Sequence, residues 1–427
     1  MSYQVVQAHP NVPPFVLQTA QGYHERGMLN AFMTTFMEHQ DYFLSKFILR
    51  LYPALRHELS RRSVTNLPIE KIVNAPVKEI IRTFSSRYLS AVTTDRIWEW
   101  AETSFDQWVA DQLTPAIDAV HCYEHAGLAT LRRAKELGIL SIYEQPSQHH
   151  AFFSRIVQDQ IKRYPELTSS ITKLQFDEKA RRRNQRRDQE LRLADLVLCN
   201  SRFTKKTLEA AGIGPSVTEV IPYGFPAPLD AYSPKQHEKV IFLNAGTQNL
   251  RKALHLLYRA WRTCNFSANE AELWLIGKMN LPEVLRKDLP GRVMIKDSIP
   301  RSELMELYRQ ASVFVLPTLA DGFGMVITEA MSRGVPVITT ENSGGPDVID
   351  HEENGFIIPA GQEEALVKQM QWCVRNKHLL NAIGGAAWEK AASWQWADYR
   401  KSVSQMVQQK IQQRQYDGKQ AGSLQRA

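Results

Sequence analysis

The segment Leu316-Pro317-Thr318-Leu319-Ala320-Asp321-Gly322-Phe323-Gly324-Met325-Val326-Ile327-Thr328-Glu329 holds the side chains best suited to chemistry. An apolar run ends in a loop carrying a carboxylate and two glycines, and a helical pattern follows. Gly322 and Gly324 remove side chains just before the helix. A ligand can then approach the backbone N–H groups at the helix start, where unpaired donors and the dipole favour phosphate. Asp321 and Glu329 lie eight positions apart. That spacing keeps Asp321 in the loop and puts Glu329 more than a turn inside the helix, able to accept hydrogen bonds from hydroxyl groups. Each carboxylate also has a plainer reading: Asp321 as a helix cap, Glu329 as a surface charge paired with Arg333 one turn on. A second group, Gly246, Thr247, Arg251 and Lys252, follows the apolar run 240–244. Basic residues at a helix start oppose the dipole unless an anion is present. Arg251 and Lys252 therefore point to phosphate, with an exposed helix start as the alternative.

These loops need rigid elements behind them. Short apolar runs alternate with longer helical patterns along most of the chain. Candidate strands are 4–7, 119–123, 140–144, 196–200, 219–222, 240–244, 273–277, 293–296, 313–317 and 335–339. Amphipathic stretches at 128–137, 205–211, 254–263, 302–310 and 328–333 lie between many of them. Such alternation implies an α/β protein with parallel sheets and crossover helices. Its ligands bind beyond the carboxyl ends of the strands. Two series appear, separated by a Pro- and Gly-rich break at Tyr223-Gly224-Phe225-Pro226-Ala227-Pro228 and a polar stretch to Glu238. Two domains are expected, at 1–222 and 223–389, with helices from about 390 to 427 crossing back to the first. Residues from about 42 to 114 read as a helical insertion in the first series. His24 to Phe43, rich in aromatics and methionines, reads as core or as a wall of the acceptor cleft.

Composition limits the classes. Apolar residues make up 43% and charged residues 23% of the 427, as in an ordinary soluble chain that buries its cores without staples. Cys122, Cys199, Cys264 and Cys373 are far apart, which argues against a zinc site or a disulfide framework and suits a reducing compartment. The first residues show no basic region before an apolar core, and no run of about 18 apolar residues occurs. A cytoplasmic location is expected, with peripheral contact at the inner membrane face as a further option. The net charge of +7 permits phosphates, nucleic acid or an anionic membrane without choosing among them. The helix expected over 179–192 carries Arg181, Arg182, Arg183, Arg186 and Arg187. It reads as a solvated face or a membrane-surface contact. No aromatic residues interleave the arginines, so no nucleic-acid partner is expected.

The segment 316–338 resembles the E-x7-E region of family-4 glycosyltransferases, the large retaining group with the GT-B fold. Pro317, Gly322, Phe323, Gly324, Glu329, Ala330, Met331, Gly334, Pro336, Val337 and Ile338 match its usual form. Asp321 stands where that family usually has glutamate, one methylene longer. Residues 240–253 resemble the strand, glycine turn and R-K-G segment of the same family. Lys252 aligns with its lysine, and Thr247 stands where its arginine is usual. Asn342-Ser343-Gly344-Gly345-Pro346 and Asn354-Gly355-Phe356-Ile357-Ile358-Pro359 resemble its glycine-rich turn and N-G-x-x-V-P strand. The likeness is specific over about residues 195–360 and looser from 118 to 146. The usual double glycine of the first turn is replaced by His9-Pro10-Asn11-Val12-Pro13-Pro14.

The resemblance implies two Rossmann-like domains whose parallel sheets face each other across a cleft. It implies a metal-independent, retaining hexosyl transfer from a nucleoside-diphosphate sugar, UDP- or GDP-linked, without a cofactor. The acceptor would be a glycan, a lipid-linked sugar or a small molecule, as in polysaccharide biosynthesis. Donor contacts fall to Gly246, Thr247, Arg251, Lys252, Gly322, Phe323, Gly324, Met325, Val326 and Glu329. Asp321 would touch the donor sugar near the reacting carbon. The family often places a histidine of the N-terminal domain beside that sugar, and His149 is the candidate, with His150 and His121 behind it. Two alternatives stand beside this reading: a nucleotide-sugar epimerase on the same fold, and a non-catalytic nucleotide-sugar-binding scaffold.

Overall fold

The computed structural model describes residues 3–37, 66–167, 176–235, 238–282, 285, 287 and 289–424. Two parallel sheets dominate. The first contains β1 (Val5–Ala8), β2 (Leu29–Thr34), β3 (Ile72–Asn74), β4 (Ala119–Tyr123), β5 (Leu140–Gln145), β6 (Leu196–Cys199) and β7 (Thr218–Val220), in the order β3-β2-β1-β4-β5-β6-β7. The second contains β8 (Val240–Ala245), β9 (Ala271–Ile276), β10 (Arg292–Lys296), β11 (Val313–Leu316), β12 (Val337–Thr340) and β13 (Gly355–Ile358), in the order β10-β9-β8-β11-β12-β13. Every residue of β4, β5, β6, β11 and β12 is buried. That is the pattern of parallel strands covered by helices on both faces.

Helices α1 (Pro14–Glu25), α2 (Pro76–Tyr88), α3 (Ala91–Gln112), α4 (Leu128–Leu137), α5 (His150–Arg163), α6 (Glu178–Leu193) and α7 (Arg202–Glu209) belong to the first sheet. The second carries α8 (Leu254–Cys264), α9 (Arg301–Gln310), α10 (Met325–Met331), α11 (Gly345–Val348), α12 (Glu363–Arg375) and α13 (Leu380–Ser393). The long α14 (Trp396–Leu424) returns to the first sheet and lies along α1. The Tyr399 hydroxyl meets the Thr19 hydroxyl at 2.8 Å, and Arg400 reaches Gln18 and Glu25. The turn into α14 packs on the linker so closely that a Cβ at Gly224 would lie 2.4 Å from the Trp396 nitrogen.

The ten strand expectations fall within about two residues of observed elements, and three strands are missing from them: β2, β3 and β13, the last reached only through the resemblance of 354–359 to a family strand. β2 and β3 lie where the reading had a cleft wall and a helical insertion. Within 42–114 the described part holds α2 and α3 but also β3, which pairs with β2. Residues 38–65, which include the end of the first stretch and the first third of the second, lie outside the described residues. The expected strand at 335–339 begins at Val337, since Pro336 has no N–H for the ladder and contributes its carbonyl to Phe314 instead.

The basic stretch is α6, and it is largely turned inward. Lys179 and Arg183 pair with Asp95 at 2.6 and 2.8 Å. Arg186 donates to the His125 carbonyl at 2.7 Å, and Arg187 lies 3.5 Å from Glu124. Of its six arginines Arg181, Arg182 and Arg192 are exposed, and Arg183, Arg186 and Arg187 are half-buried. Most of the charge that suggested a solvated face or a membrane contact is neutralised within the fold. Among the described residues no helix is long and apolar enough to cross a membrane. All four cysteines are free thiols.

Candidate functional site

Three loops at the carboxyl ends of β8, β11 and β5 meet at one place. Gly246 closes β8 with φ +124° and donates its N–H to Ile276 at 2.9 Å. Gly277, at φ +126°, passes so near that a Cβ there would lie 2.1 Å from the Gly246 carbonyl oxygen, so that position too must be glycine. The chain then turns through exposed Thr247 to Arg251 and Lys252, which immediately precede α8. Neither cation is an exposed helix start. Lys252 Nζ lies 2.8 Å from Asp321 Oδ2, and Arg251 Nη1 lies 3.1 Å from Asp321 Oδ1. Arg251 Nη1 also donates to the Ala320 carbonyl at 2.9 Å, and the Arg251 carbonyl accepts from the Leu319 N–H at 2.9 Å. The β8–α8 turn and the β11–α10 loop are therefore one hydrogen-bonded unit.

Asp321 is not the cap of α10. The N-cap position is Gly324, in left-handed geometry at φ +81°, with no side-chain cap. Asp321 is held instead by the two cations, and its own N–H donates to the Asn342 carbonyl at 2.9 Å. Burial alone would raise its pKa, but Arg251 and Lys252 outweigh that and hold the carboxyl well below the ordinary range. A depressed carboxylate stabilises the fold above its unfolded pKa of about 3.9, and that contribution is lost as pH falls through the folded value. Asp321→Asn is thus expected to cost about 1.5–3 kcal/mol at pH 7. In urea unfolding of both proteins, the gap should be flat above about pH 5 and close progressively below about pH 4. A gap that is the same at pH 3 and pH 7 would show that the charge contributes nothing.

Gly322 faces the first domain. A Cβ there would lie 2.0 Å from the Pro146 carbonyl oxygen and 2.8 Å from Ser147 Cα. Its own carbonyl accepts from the Ser201 hydroxyl. Phe323 packs edge-on against Tyr223 of the linker, with ring centroids 5.2 Å apart. Asp347 binds Arg202 at 2.8 Å, a further tie between the two domains. The half-buried Met325 and Val326 begin α10, where first-turn N–H groups have no intrahelical partner.

Glu329 lies within α10, with 15% of its side chain exposed. Its ionic partner is Arg301 of α9, at 3.0 Å, and not Arg333, the partner of its plainer reading. Burial raises the Glu329 pKa, and Arg301 offsets only part of that rise. Sequence reasoning missed Arg301, whose surroundings read only as the start of a helix.

His149 is the N-cap of α5: its Nδ1 accepts from the Ala151 N–H at 3.2 Å, and its Nε2 lies 3.2 Å from Asp188 Oδ1. The His150 Nε2 reaches the same oxygen at 2.7 Å. Burial first, then the neighbouring His150, lowers the His149 pKa. These three residues form a group whose ligand atoms lie within 4.8 Å of one another, a spacing that a metal ion accepts. The Ala151 bond, however, makes Nδ1 of His149 an acceptor and leaves the proton on Nε2, toward Asp188. His121 is buried between the Tyr23 hydroxyl and Glu144. The backbone of Pro146 and Ser147, just before His149, lies against Gly322 of the Asp321 loop.

Residues 229–390 match the family model for glycosyl transferases group 1. Among curated relatives, the sulfoquinovosyl transferase SQD2 of Arabidopsis thaliana is 26% identical over 222 residues, covering 48% of this chain and 42% of its own length. The capsular polysaccharide biosynthesis glycosyltransferase CapM of Staphylococcus aureus is 29% identical over 140 residues, covering 31% of this chain and 36% of its own length. The match thus spans less than half the length of these relatives. The structure of Anabaena Alr3699/HepE in complex with UDP superimposes with a TM-score of 0.60 at 14% identity, over 96% of this chain and all of that one. WaaG, a glycosyltransferase involved in lipopolysaccharide biosynthesis, gives 0.61 at 13% identity, over 94% and 99%. At such identities the likeness is one of fold, and it extends to both sheets.

Proposed function

With residues 229–390 placed among the group 1 glycosyl transferases, we propose that the chain transfers a sugar from a nucleoside-diphosphate donor, with retention of anomeric configuration. The observation that carries this reading is the convergence of Arg251, Lys252 and Asp321 beside the start of α10, with Glu329 one turn further in. Lys252, Arg251 and the N–H groups of Met325 and Val326 present donors to a diphosphate leaving group. Preorganised donors of this kind stabilise the charge that develops as the glycosidic bond breaks. α10 has seven residues, so its local N–H groups matter more than its dipole. Glu329 accepts from the ribose hydroxyls. Asp321, at the tip of the loop beside the first domain, meets the donor sugar. Gly246 and Thr247 border the diphosphate, and Phe323 fixes the loop against the linker.

The relatives support the class of chemistry. SQD2 and CapM are named as transferases, and HepE is seen with UDP. A UDP- or GDP-sugar donor and a glycan, lipid-linked or small-molecule acceptor complete the reading. No metal is required where protein donors neutralise the diphosphate.

Thermal shifts with UDP, GDP, ADP, dTDP and their common sugars test it. A ligand at 100 times its Kd stabilises by about 2.7 kcal/mol, several degrees in Tm. One nucleotide is expected to give that shift in the wild type, and Glu329→Ala to lose most of it. A folded wild type that no nucleotide shifts would overturn the donor site.

A further inference from the structure

The chain joins the two domains at the linker, where Tyr223 packs on Phe323 and Trp396 and donates to the buried Glu144 of β5 at 2.7 Å. Domains held only along that line can swing about it. A second tie lies in α5. In the chain this helix follows β5 of the first sheet, and its first turn is fastened there. The His149 N–H donates to the Thr207 hydroxyl at 3.0 Å, and Phe152 packs edge-on against Phe203, both partners being on α7. The apolar face of α5 goes elsewhere. Val157, with Tyr164 and Leu167 just beyond the helix, is buried in the same cluster as Leu254, Leu257 and Leu319 of the second domain. Phe153, Ile156 and Ile161 pack against that cluster too. Among the described residues, no part of α5 joins the buried apolar clusters that hold the first sheet.

The far end of α5 reaches the helix that carries the cations. Buried His255 stands in the first turn of α8, three residues after Lys252. It donates from Nε2 to the Gln160 side-chain oxygen at 2.9 Å, since an amide oxygen only accepts. The Tyr164 ring meets the His255 ring edge-on at 5.3 Å, and the Arg259 guanidinium lies 5.2 Å from the Tyr164 centroid. Arg259 is held in turn by Glu363 at 2.6 Å. At the near end of the helix, Pro146 and Ser147 lie against Gly322. The 14 residues of α5, about 21 Å of helix, therefore touch both halves of the candidate site. Relative motion is the rule for paired domains unless their interface is large and apolar. A swing about the linker would have to pull α5 out of the second domain or tear its first turn from α7. Unseating three buried apolar side chains makes an opened arrangement about 10³-fold or more the rarer one.

We propose that α5 is a strap between the domains, and that Gln160 and Tyr164 are positioning residues which keep the cleft at one width in the free protein. Through His255 they hold the start of α8, and with it Lys252, in register with the first domain. What this does for turnover rests on the assignment of Lys252 to the diphosphate; the strap itself does not.

X-ray scattering of the free protein tests the strap without any ligand. The double variant Gln160→Ala/Tyr164→Ala is expected to raise the radius of gyration by at least about 1 Å, against roughly 22 Å for a compact chain of this length. Tyr164→Phe keeps the ring, and the hydroxyl it loses has no hydrogen-bond partner among the described residues, so the wild-type radius should be kept. A double variant with native circular dichroism and the wild-type radius would overturn the strap. Hydrogen exchange on the wild type needs no variant. The amides of 157–163 should be as protected as those of α8, and exchange about 100-fold faster than α8 would show that the helix is not seated and would overturn the strap as well. In the coupled assay for diphosphate release, the double variant should lose at least about tenfold in kcat while its Kd for UDP or GDP stays within about threefold, because the proposed diphosphate contacts lie on the second domain. An unchanged kcat in a widened protein would remove the positioning role. A wild type that binds neither nucleotide would remove the donor reading and leave the radius to decide the strap.

Discussion

Lys252→Ala is expected to lower kcat/KM for the donor about 10²–10³-fold, the loss seen when one preorganised donor to a developing oxyanion is removed. The fold should survive the change. Lys252 is one of two cations on Asp321, and Arg251 remains 3.1 Å from it, so the carboxylate is not orphaned. In the free protein, Lys252 and Asp321 satisfy each other. A diphosphate arriving between Lys252 and α10 competes for the ammonium, and part of the binding energy goes into loosening that pair. Two variants should therefore diverge. Lys252→Ala loses both nucleotide affinity and turnover. Asp321→Asn frees Lys252, so the nucleoside diphosphate should bind at least as tightly as to wild type while sugar transfer falls. Calorimetry with the diphosphate and a coupled assay for its release measure the two quantities. If Lys252→Ala turns over donor within about threefold of wild type, these cations are a structural ion-pair cluster and not a clamp.

The same cluster shows why the second domain is legible in sequence and the first much less so. The β11–α10 loop, its glycines and Glu329 are contiguous, and each geometric requirement falls within a few residues of the next. Arg251 and Lys252 stand out because two cations before a helix need an anion, and the fold supplies Asp321. Arg301 carries no such local mark. Its relation to Glu329 arises from the packing of α9 on α10, which no periodicity within either helix encodes. The first domain is dominated by distant pairings of this kind. Five closely spaced arginines gave α6 an apparent basic face, yet Arg183 is answered by Asp95 and Arg186 approaches Glu102, both on α3 and more than 80 residues earlier. His149 was chosen for its position after a strand, but its environment is set by Asp188, 39 residues on. β3 is three residues long, and its register exists only against β2. Local propensity is a weak guide where tertiary pairing decides.

Gly322→Ala is expected to reduce kcat by at least about 10²-fold in a protein that still folds, since misplacing a reacting group by roughly 1 Å is enough for such a loss. The reason lies between the domains. A methyl group at this position would lie 2.0 Å from the Pro146 carbonyl oxygen, and both partners are backbone, so no side chain can swing aside. Either the β11–α10 loop retreats, taking Asp321 with it, or the loop after β5 is pushed back with Ser147. The Ser201 hydroxyl bond to the Gly322 carbonyl would be stretched in both cases. The cores of the two domains are not entered by the added methyl, so the stability cost should stay near the 1–3 kcal/mol typical of overpacking. The proposed contacts to the nucleoside diphosphate, Lys252, Glu329 and the start of α10, are all on the second domain, so its binding should change little. The expected signature is thus a fall in kcat with diphosphate affinity preserved and a modest loss of Tm. Arg202→Ala supplies the comparison, since it severs the 2.8 Å contact with Asp347 without adding volume. If Gly322→Ala keeps wild-type kcat, the contact between this loop and Pro146 is not part of the reacting geometry. If both variants lose turnover alike, what matters is the general docking of the domains rather than the position of this loop.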